Sequence, residues 1–168
     1  DNSMDEAIAG HADLIKISLL DHNTLQIEDN GRGIPIDDHP KFPGKSALEI
    51  IVSTLHAGGK FSNGAYETSG GLHGVGISVV NALSENLEVK VIRNKKIYSQ
   101  KYSRGIVKSN LEYIEKTTKK SGTIVKFTPD PQIFGKNFSF SSDKLFKECQ
   151  SKAYLLSGEI TTPWGILV

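Results

Sequence analysis

The chain has 168 residues, a formal net charge of +1, and 38% hydrophobic against 23% charged residues. These values fit a globular domain and exclude a disordered tail or a strongly basic nucleic-acid module. The one cysteine, Cys149, excludes an intrachain disulfide and a cysteine-based metal cluster, and no apolar run approaches the ~20 residues of a membrane span. We therefore expect a reducing compartment, the cytoplasm, and no association with membranes.

Both ends of the chain have the pattern of a fragment. Residues 1–9 read as a helix with Met4, Ala7 and Ile8 on one face, but no capping residue precedes them. The last residues, 163–168, stop on an apolar run. We therefore expect residues 1–168 to be a single, monomeric domain fragment that is truncated at both ends.

Hydrophobic periodicity and turn residues predict the remaining elements in chain order. They are strands over 16–20 and 24–29, a loop over 30–45, a helix from 46 to 56, a glycine-rich loop over 57–76, a helix over 75–83, strands over 87–93, 96–103 and 122–128, and a helix over 141–155. The helix at 46 opens with a capping box, because Glu49 follows Ser46 by three residues. The order predicts an α+β sandwich with a mixed, mostly antiparallel sheet and helices on one face, and not a doubly wound dinucleotide fold.

The first segment with recognisable chemistry is Asp29–Pro35, which directly follows a predicted strand. Glycines at positions 31 and 33 let a flat ligand approach the backbone without a Cβ in the way. The Asp29 carboxylate can accept a hydrogen bond from an exocyclic amine, worth about 1.5–3 kcal/mol when charge-assisted. An ordinary Asn-Gly turn would have the same residues.

The second segment is glycine-rich and extends from Ser69 to Gly76, where a helix begins. Backbone N–H groups in such a loop and at a helix N-terminus favour phosphate binding. The segment does not match the phosphate loop that ends in Lys-Ser/Thr, nor the dinucleotide fingerprint. A flexible linker would also be rich in glycine.

Two further positions fit the same chemistry. Lys60 follows two glycines and can place its charge on a terminal phosphate, although an exposed loop lysine would read the same way. On the first helix, the amide oxygen of Asn2 suits a hard cation such as Mg²⁺, and Glu6 can pair with Arg32 in the loop after the second strand. Alternatively, Asn2 and Glu6 are ordinary polar residues on the surface of a helix.

Charge is unevenly distributed along the chain. Residues 90–120 contain ten of the 20 lysines and arginines, against two acids, Glu112 and Glu115. A solvated face accounts for such a block. It also leaves open an alternative function, a non-enzymatic nucleic-acid-binding or protein-binding module.

Taken together and in this order, the motifs resemble the GHKL (Bergerat) nucleotide-binding superfamily. The resemblance is carried by Asn2-x-x-Asp5-Glu6, Asp29-x-Gly31-x-Gly33, Gly70–Gly76 and Gly122-Thr123. Within the superfamily, residues 1–7, 29–35, 55–61 and 69–83 resemble the ATPase domains of bacterial type IIA topoisomerase B subunits. Residues 39–49 are more similar to the topoisomerase IV branch than to the DNA gyrase branch. The sequences of segments 55–61 and 69–76 resemble those of the topoisomerases more than those of histidine kinases, Hsp90-type chaperones and MutL-type repair proteins.

The resemblance implies a role for each matching position. Asn2 would coordinate Mg²⁺, Asp29 would accept from the adenine amino group, and Thr123 would support Asp29 through a shared water. The implied nucleotide-binding residues are Asn2, Glu6, Asp29, Arg32, Gly33, Ile34, Pro35, Lys60, Tyr66, Leu72, His73, Gly74, Val75, Gly76 and Thr123. The implied pocket lining is Ser3, Ile27, Val52, Ile77, Arg93 and Val125.

The resemblance also implies cofactors, partners and a reaction. ATP with Mg²⁺ would close a dimeric gate and power DNA strand passage for decatenation and supercoil relaxation. In the full-length protein, the topoisomerase A subunit and DNA would be partners, and aminocoumarin inhibitors would bind at the ATP pocket. The family's general-base glutamate would lie before Asp1, so we expect no catalytic residue in this span. Losing a general base lowers rates about 10²–10⁴-fold, so the chain should bind nucleotide but hydrolyse it slowly. The tail 159–168 departs from the family, and no element is predicted for it.

Overall fold

The structure is a computed structural model, and it describes residues 1–54, 76–155, 159–162 and 165–167. The helices are α1 (Asn2–Ile8), α2 (Ala47–Ser53), α3 (Gly76–Ala82), α4 (Pro131–Phe134) and α5 (Ser142–Leu155). The strands are β1 (Leu14–Leu19), β2 (Leu25–Asp29), β3 (Asp38–His39), β4 (Phe42–Ser46), β5 (Ser84–Arg93), β6 (Lys96–Ser103), β7 (Ile106–Val107), β8 (Glu112–Lys116), β9 (Gly122–Pro129), β10 (Glu159–Thr162) and β11 (Gly165–Leu167).

Nine of these strands form one sheet in the order β11-β10-β1-β2-β9-β5-β6-β7, with β8 also paired to β6. Every pairing in this sheet is antiparallel except that of β1 with β10. The late strand β9 lies between β2 and β5 and so joins the early and middle parts of the chain. The mixed, mostly antiparallel sheet expected from the sequence is confirmed.

The two faces of the sheet differ in polarity because successive strand residues point to opposite sides. On β5, Leu87, Val89 and Val91 are buried, whereas the alternate residues Glu88 and Lys90 are only partly buried. The buried set packs with α2 and α3 in one apolar core. The helices thus cover one face, as predicted, and the other face carries charged side chains.

The apolar core on the covered face has two parts. The first joins α2 and α3 to β5 and β6, and its buried residues are Ile34, Leu48, Val52, Ile77, Leu87, Val89, Val91 and Tyr102. The second joins α1 and α5 to β1 and β2 around Ile15, Cys149 and Ala153. Each fully buried aliphatic side chain contributes about 1.5–3 kcal/mol to the free energy of folding. Of the helices in the described part of the chain, none combines the length and the apolar character that crossing a membrane requires.

Local sequence signals located most elements correctly. The hydroxyl of Ser46 accepts a hydrogen bond from the Glu49 N–H at 3.0 Å, as expected at the start of α2. The predicted hairpin at 16–29 is present, and it is closed by a hydrogen bond from Leu20 N–H to the Thr24 carbonyl at 2.9 Å. The expected glycine-rich loop over 57–76 lies outside the described residues except for Gly76.

Several elements differ from the prediction. The expected loop 30–45 contains the β3–β4 hairpin, and α2 ends at Ser53 and not at 56. Strand β8 was missed because all five of its residues are exposed, so it has no alternation of apolar and polar residues. The tail, for which no element was predicted, forms β10 and β11, and β10 pairs in parallel with β1 more than 140 residues earlier. Such distant pairing leaves no local pattern in a sequence.

Candidate functional site

The site is organised around Asp29, the last residue of β2, which is 3% exposed. Its Oδ2 accepts a hydrogen bond from the Ser3 hydroxyl at 2.7 Å, and its Oδ1 accepts one from the Gly31 N–H at 3.0 Å. Both donors are neutral, and no Lys, Arg or His of the described ranges forms an ion pair with it. Burial raises the pKa of the Asp29 carboxyl, and the hydrogen bonds from Ser3, Gly31 and the Thr123 backbone only partly offset this effect.

Two glycines let the backbone pack closely around Asp29. Gly122, at the start of β9, has φ +154°, and a Cβ there would collide with the Asp29 carbonyl oxygen. Gly33 has φ +78°, and a Cβ there would lie 2.8 Å from the Ile92 carbonyl oxygen. Only glycine fits these positions without moving the backbone. The glycines therefore hold the loop after β2 against the ends of β5 and β9.

A partly buried ion pair between Glu6 and Arg32 connects the same loop to α1. Arg32 donates from Nη2 to Glu6 Oε1 at 2.7 Å and from Nε to Glu6 Oε2 at 3.2 Å, and its backbone N–H also donates to Oε2 at 2.9 Å. Burial raises the pKa of Glu6, but the hydrogen bonds from Arg32 outweigh burial and hold the pKa below its usual value. The pairing of Glu6 with Arg32 expected from the sequence is present, and it fixes the loop to the helix.

Two contacts fix the other side of the loop. Thr123 lies opposite Asp29 in the β2–β9 pairing, and its hydroxyl accepts a hydrogen bond from the Ile34 N–H at 3.3 Å. At the end of β5, Arg93 donates from Nη1 to the Gly33 carbonyl at 3.0 Å. The loop is thus tied to two separate strands, β5 and β9, and to one helix, α1, which gives it a defined shape before any ligand arrives.

An apolar cavity of about 240 Å³ lies on the Ser3 side of the site, and Asp29 itself does not line it. Six of the residues predicted for the site line it: Asn2, Ser3, Ile27, Gly76, Ile77 and Val125. Ser3 connects the cavity to Asp29 through its hydroxyl. The volume is below the about 300–1,000 Å³ of sites for drug-sized ligands, so the cavity suits one ring system.

The cavity extends further towards α5 than the sequence indicated. Leu145, Glu148, Cys149 and Lys152 of that helix line its far side. These four residues were not predicted. They are far from the other lining residues in sequence, and they reach the cavity only because α5 packs against it. They make the far wall a mixture of apolar and charged groups.

Other predicted residues lie behind or outside the cavity. Val52 and Ile34 are fully buried in the first core and do not line it, and Pro35 is half-buried in the loop. Asn81, which the sequence analysis missed, donates from Nδ2 to the Val52 carbonyl at 3.0 Å and is completely buried. The sequence signal that could have identified Asn81 is its position as a polar residue within the apolar run of α3. The predicted residues Lys60, Tyr66, Leu72, His73, Gly74 and Val75 lie outside the described residues.

The Asn2 side chain has the chemistry expected of a magnesium ligand. Its amide lies beside the cavity in the first turn of α1, and Nδ2 is buried without a hydrogen-bond partner in the described structure. Residues 1–54 and 76–154 contain no group of three or more His, Cys, Asp or Glu side chains that would form a cage for a metal. This donor set fits Mg²⁺ held by one protein oxygen together with phosphate oxygens and water.

Comparison with known proteins places these features in a family. The family model described as "Histidine kinase-, DNA gyrase B-, and HSP90-like ATPase" matches residues 1–133. The B subunit of DNA topoisomerase 4 from Bartonella bacilliformis is 58% identical over 158 residues, which is 94% of this chain and 23% of that protein. The B subunit of DNA gyrase from Thermotoga maritima is 53% identical over 158 residues, 94% of this chain and 24% of that protein. The chain thus spans about a quarter of the length of these curated relatives.

A solved structure agrees with the sequence relatives. The 43K ATPase domain of Thermus thermophilus gyrase B, crystallised in complex with an aminocoumarin, matches with a TM-score of 0.82 and 40% identity. The match covers 96% of this chain and 40% of that chain. The α+β sandwich and the resemblance found in the sequence are confirmed. The chain belongs to the histidine kinase-, DNA gyrase B- and HSP90-like ATPase family, in the branch of the type IIA topoisomerase B subunits.

Proposed function

We propose that the chain binds ATP with Mg²⁺ and that Asp29 selects the adenine base. One observation carries the proposal: Asp29 is buried and bonded to Ser3 of the apolar cavity wall, and among the described residues its hydrogen-bond donors are neutral and it has no cationic partner. A carboxylate can accept about four hydrogen bonds, so Asp29 retains capacity for an exocyclic amine. The 6-oxo group of guanine would instead face this carboxylate with another acceptor, and two acceptors repel.

The surrounding residues position this carboxylate. Glu6 and Arg32 hold the loop after β2 to α1, and Thr123 and Arg93 hold it to the sheet. Asn2 would hold Mg²⁺, which when bound would neutralise part of the phosphate charge. Because the cavity suits a single ring system, the sugar and phosphates would extend beyond it.

We further propose that the parent protein is the B subunit of a topoisomerase IV and acts in the cytoplasm with an A subunit on DNA. Relatives that are B subunits of DNA topoisomerase 4, at 58% and 55% identity, support this assignment. ATP binding would then drive gate closure and strand passage, which decatenates DNA and relaxes supercoils. Since the resemblance puts the family's general base before Asp1, we expect these 168 residues to bind nucleotide and to hydrolyse it slowly.

The decisive experiment is a calorimetric titration of the chain with Mg²⁺ and a non-hydrolysable ATP analogue. We expect one-to-one binding, and Asp29→Asn should weaken it about tenfold to hundredfold through the loss of a charge-assisted hydrogen bond. Asp143→Asn, an exposed aspartate in the first turn of α5, is the matched control and should bind like the parent. A GTP analogue should bind more weakly than the ATP analogue. Equal affinity of Asp29→Asn and the parent would overturn the proposal.

The B subunit of a DNA gyrase is the second candidate, because the Thermotoga maritima gyrase relative is 53% identical over 94% of this chain. The two candidates differ in the reaction of the full-length protein with its A subunit. Decatenation without the introduction of negative supercoils would support topoisomerase IV. Introduction of negative supercoils would support gyrase. An aminocoumarin should compete with the ATP analogue in either case.

A further inference from the structure

Three cations face one another across neighbouring strands at one end of the sheet. Arg93, the last residue of β5, pairs directly with Lys96, the first residue of β6. Lys96 in turn pairs directly with Lys116, the last residue of β8. We call Arg93, Lys96 and Lys116 the cationic row. Neighbouring strands are ~4.8 Å apart, so the row extends over about 10 Å.

This arrangement is unfavourable for folding because like charges directly opposite one another in a sheet destabilise it. Two lysines elsewhere on the sheet have an acidic partner, because Lys126 and Lys90 lie 3.2 Å and 3.9 Å from Glu88. In the described part of the chain, neither Lys96 nor Lys116 has a carboxylate within 4.0 Å. Among the described residues, no carboxylate therefore offsets the like-charge pairing of Lys96 with Lys116.

A backbone hydrogen bond connects the two segments that carry the row, and two further lysines nearby add positive charge. Lys95 is exposed in the turn between β5 and β6, and its carbonyl accepts a hydrogen bond from the Thr117 N–H at 2.9 Å. This bond ties the turn to the chain after β8, where Lys120 is also exposed. Glu115 pairs with Ile97, so strand alternation directs it to the face opposite Lys116. The row thus lies in a positively charged corner of the molecule that a backbone hydrogen bond joins to the β5–β6 turn.

We propose that this corner binds the sugar–phosphate backbone of duplex DNA. Duplex DNA has one negative charge per about 1.7 Å of helix axis, so several phosphates lie within reach of a 10 Å row. Two of its three members are lysines, and Lys95 and Lys120 flank them. Lysine presents a mobile point charge, which suits sequence-independent phosphate contacts. The inference rests on the proposed function only for the choice of duplex DNA among polyanions.

The test compares two double variants by fluorescence anisotropy with a labelled duplex of random sequence over a series of salt concentrations. Lys96→Gln with Lys116→Gln removes two charges of the row. Lys136→Gln with Lys144→Gln removes two exposed lysines at the opposite end of the sheet, near the contact of Phe140 with His22. Each phosphate contact contributes about 0.9 to the slope of log K against log salt. We expect the first variant to lower this slope by about 2 and the second to leave it unchanged.

Three results would overturn the proposal. They are an equal loss of affinity in both double variants, no binding of the duplex by the parent chain at low salt, and equally effective competition by poly-glutamate and duplex at equal charge. The last of these would favour an acidic protein partner.

Two controls separate this proposal from the nucleotide site. The row variant should bind the ATP analogue like the parent chain, so failure of nucleotide binding and failure of DNA binding are distinguishable. Its thermal midpoint should be equal to or above that of the parent, because the variant removes repulsion between Lys96 and its neighbours. A lower thermal midpoint would show that the row is structural, and this also counts against the proposal.

Discussion

Two buried aspartates at opposite ends of the sheet show how similar burial leads to different roles. Asp29 and Asp130 are each 3% exposed, and each lies at or directly after the end of a strand. Asp130 accepts from Arg104 Nε at 2.6 Å and Nη2 at 3.2 Å, and from the Gln132 N–H at 2.9 Å. Asp29 accepts from neutral groups among the described residues: the Ser3 hydroxyl and the backbone N–H groups of Gly31 and Thr123.

The pKa values of the two carboxyls shift in opposite directions. The hydrogen bonds from Arg104 hold the pKa of Asp130 below its usual value, whereas burial raises the pKa of Asp29. Asp130 is neutralised from within the chain, and its contacts join the turn after β6 to the start of α4. Among the described residues Asp29 has no such cation, so its charge and its remaining acceptor capacity are available to the ligand proposed above. The two carboxyls thus differ in their partners and not in their burial.

The largest effect is expected from a substitution that disrupts only the end of the sheet where Asp29 lies. In Gly122→Ala the new Cβ collides with the Asp29 carbonyl oxygen, so we expect the free energy of unfolding to fall by about 2–4 kcal/mol. Gly135→Ala is the control, since its φ is also positive (+90°) but nothing lies within 4 Å of its Cβ. It should cost about 1 kcal/mol from backbone strain alone. Urea unfolding measures both, and similar losses would contradict the close approach of Gly122 to Asp29.

The second prediction exchanges the two acids for their amides. Asp130→Asn weakens the contacts with Arg104 and should clearly lower the thermal midpoint while leaving nucleotide affinity unchanged. Asp29→Asn removes a buried charge and keeps a hydrogen-bonding group beside Ser3, so the thermal midpoint should stay the same or rise. Calorimetric scanning of both variants tests this. If both variants were destabilised alike, the distinction between the two sites would not hold.

A smaller effect is expected from the brace between α1 and the Asp29 loop. Glu6→Gln replaces the charged acceptor of Arg32, so we expect about threefold to tenfold weaker binding of the ATP analogue. Glu49→Gln is the control, because Glu49 also has a cationic partner, Lys45 at 3.2 Å, but that partner lies in β4 and not in the loop after β2. Unchanged affinity in Glu6→Gln would show that the loop keeps its shape without this ion pair.

The smallest effect is a pH dependence with opposite signs at the two sites. For Asp130, whose folded pKa lies below 3.8, the stabilisation is present above pH 3.8 and disappears as the pH falls through the folded value. For Asp29, whose folded pKa lies above 3.8, the cost of the buried charge is full above the folded pKa and disappears as the pH falls towards 3.8.

Denaturation of the parent and both Asn variants over this pH range measures the two slopes. The stability gap between Asp29→Asn and the parent should close as the pH falls, because protonation removes the same charge that the substitution removes. The gap between the parent and Asp130→Asn should close only at lower pH. Closure of both gaps over the same pH range would contradict the opposite pKa shifts.

The sequence was informative where a motif is local. The run from Asp29 to Pro35 predicted the loop after β2, and the pairing of Glu6 with Arg32 followed from recognising it. The structure supplied what depends on distant pairing. The Arg104–Asp130 contact joins residues 26 positions apart, and the approach of Cys149 to the cavity depends on how α5 packs. No local pattern distinguishes Asp130, which pairs with Arg104, from Asp29, which has no cationic partner in the part of the chain that the structure describes.

The edges of the sheet were harder to predict for a different reason. Strand β8 has the exposed sequence Glu112–Lys116, so its position beside β6 depends on backbone pairing and not on an apolar stripe. Strand β10 pairs with β1 although the two are separated by almost the whole chain. The cationic row follows from such a pairing, because Lys96 and Lys116 are 20 residues apart in sequence and meet only across strands.

The position of β9 between β2 and β5 determines when the site can form during synthesis. A ribosome releases β2 and β5 long before residues 122–129, and until then both strands have an unpaired edge where β9 will bind. The pairing of Asp29 with Thr123 closes a loop of more than 90 residues, which makes it a slow step for folding. A nascent chain that ends before Gly122 should therefore be prone to aggregate and unable to hold nucleotide, and release of β9 should complete the sheet and the pocket together.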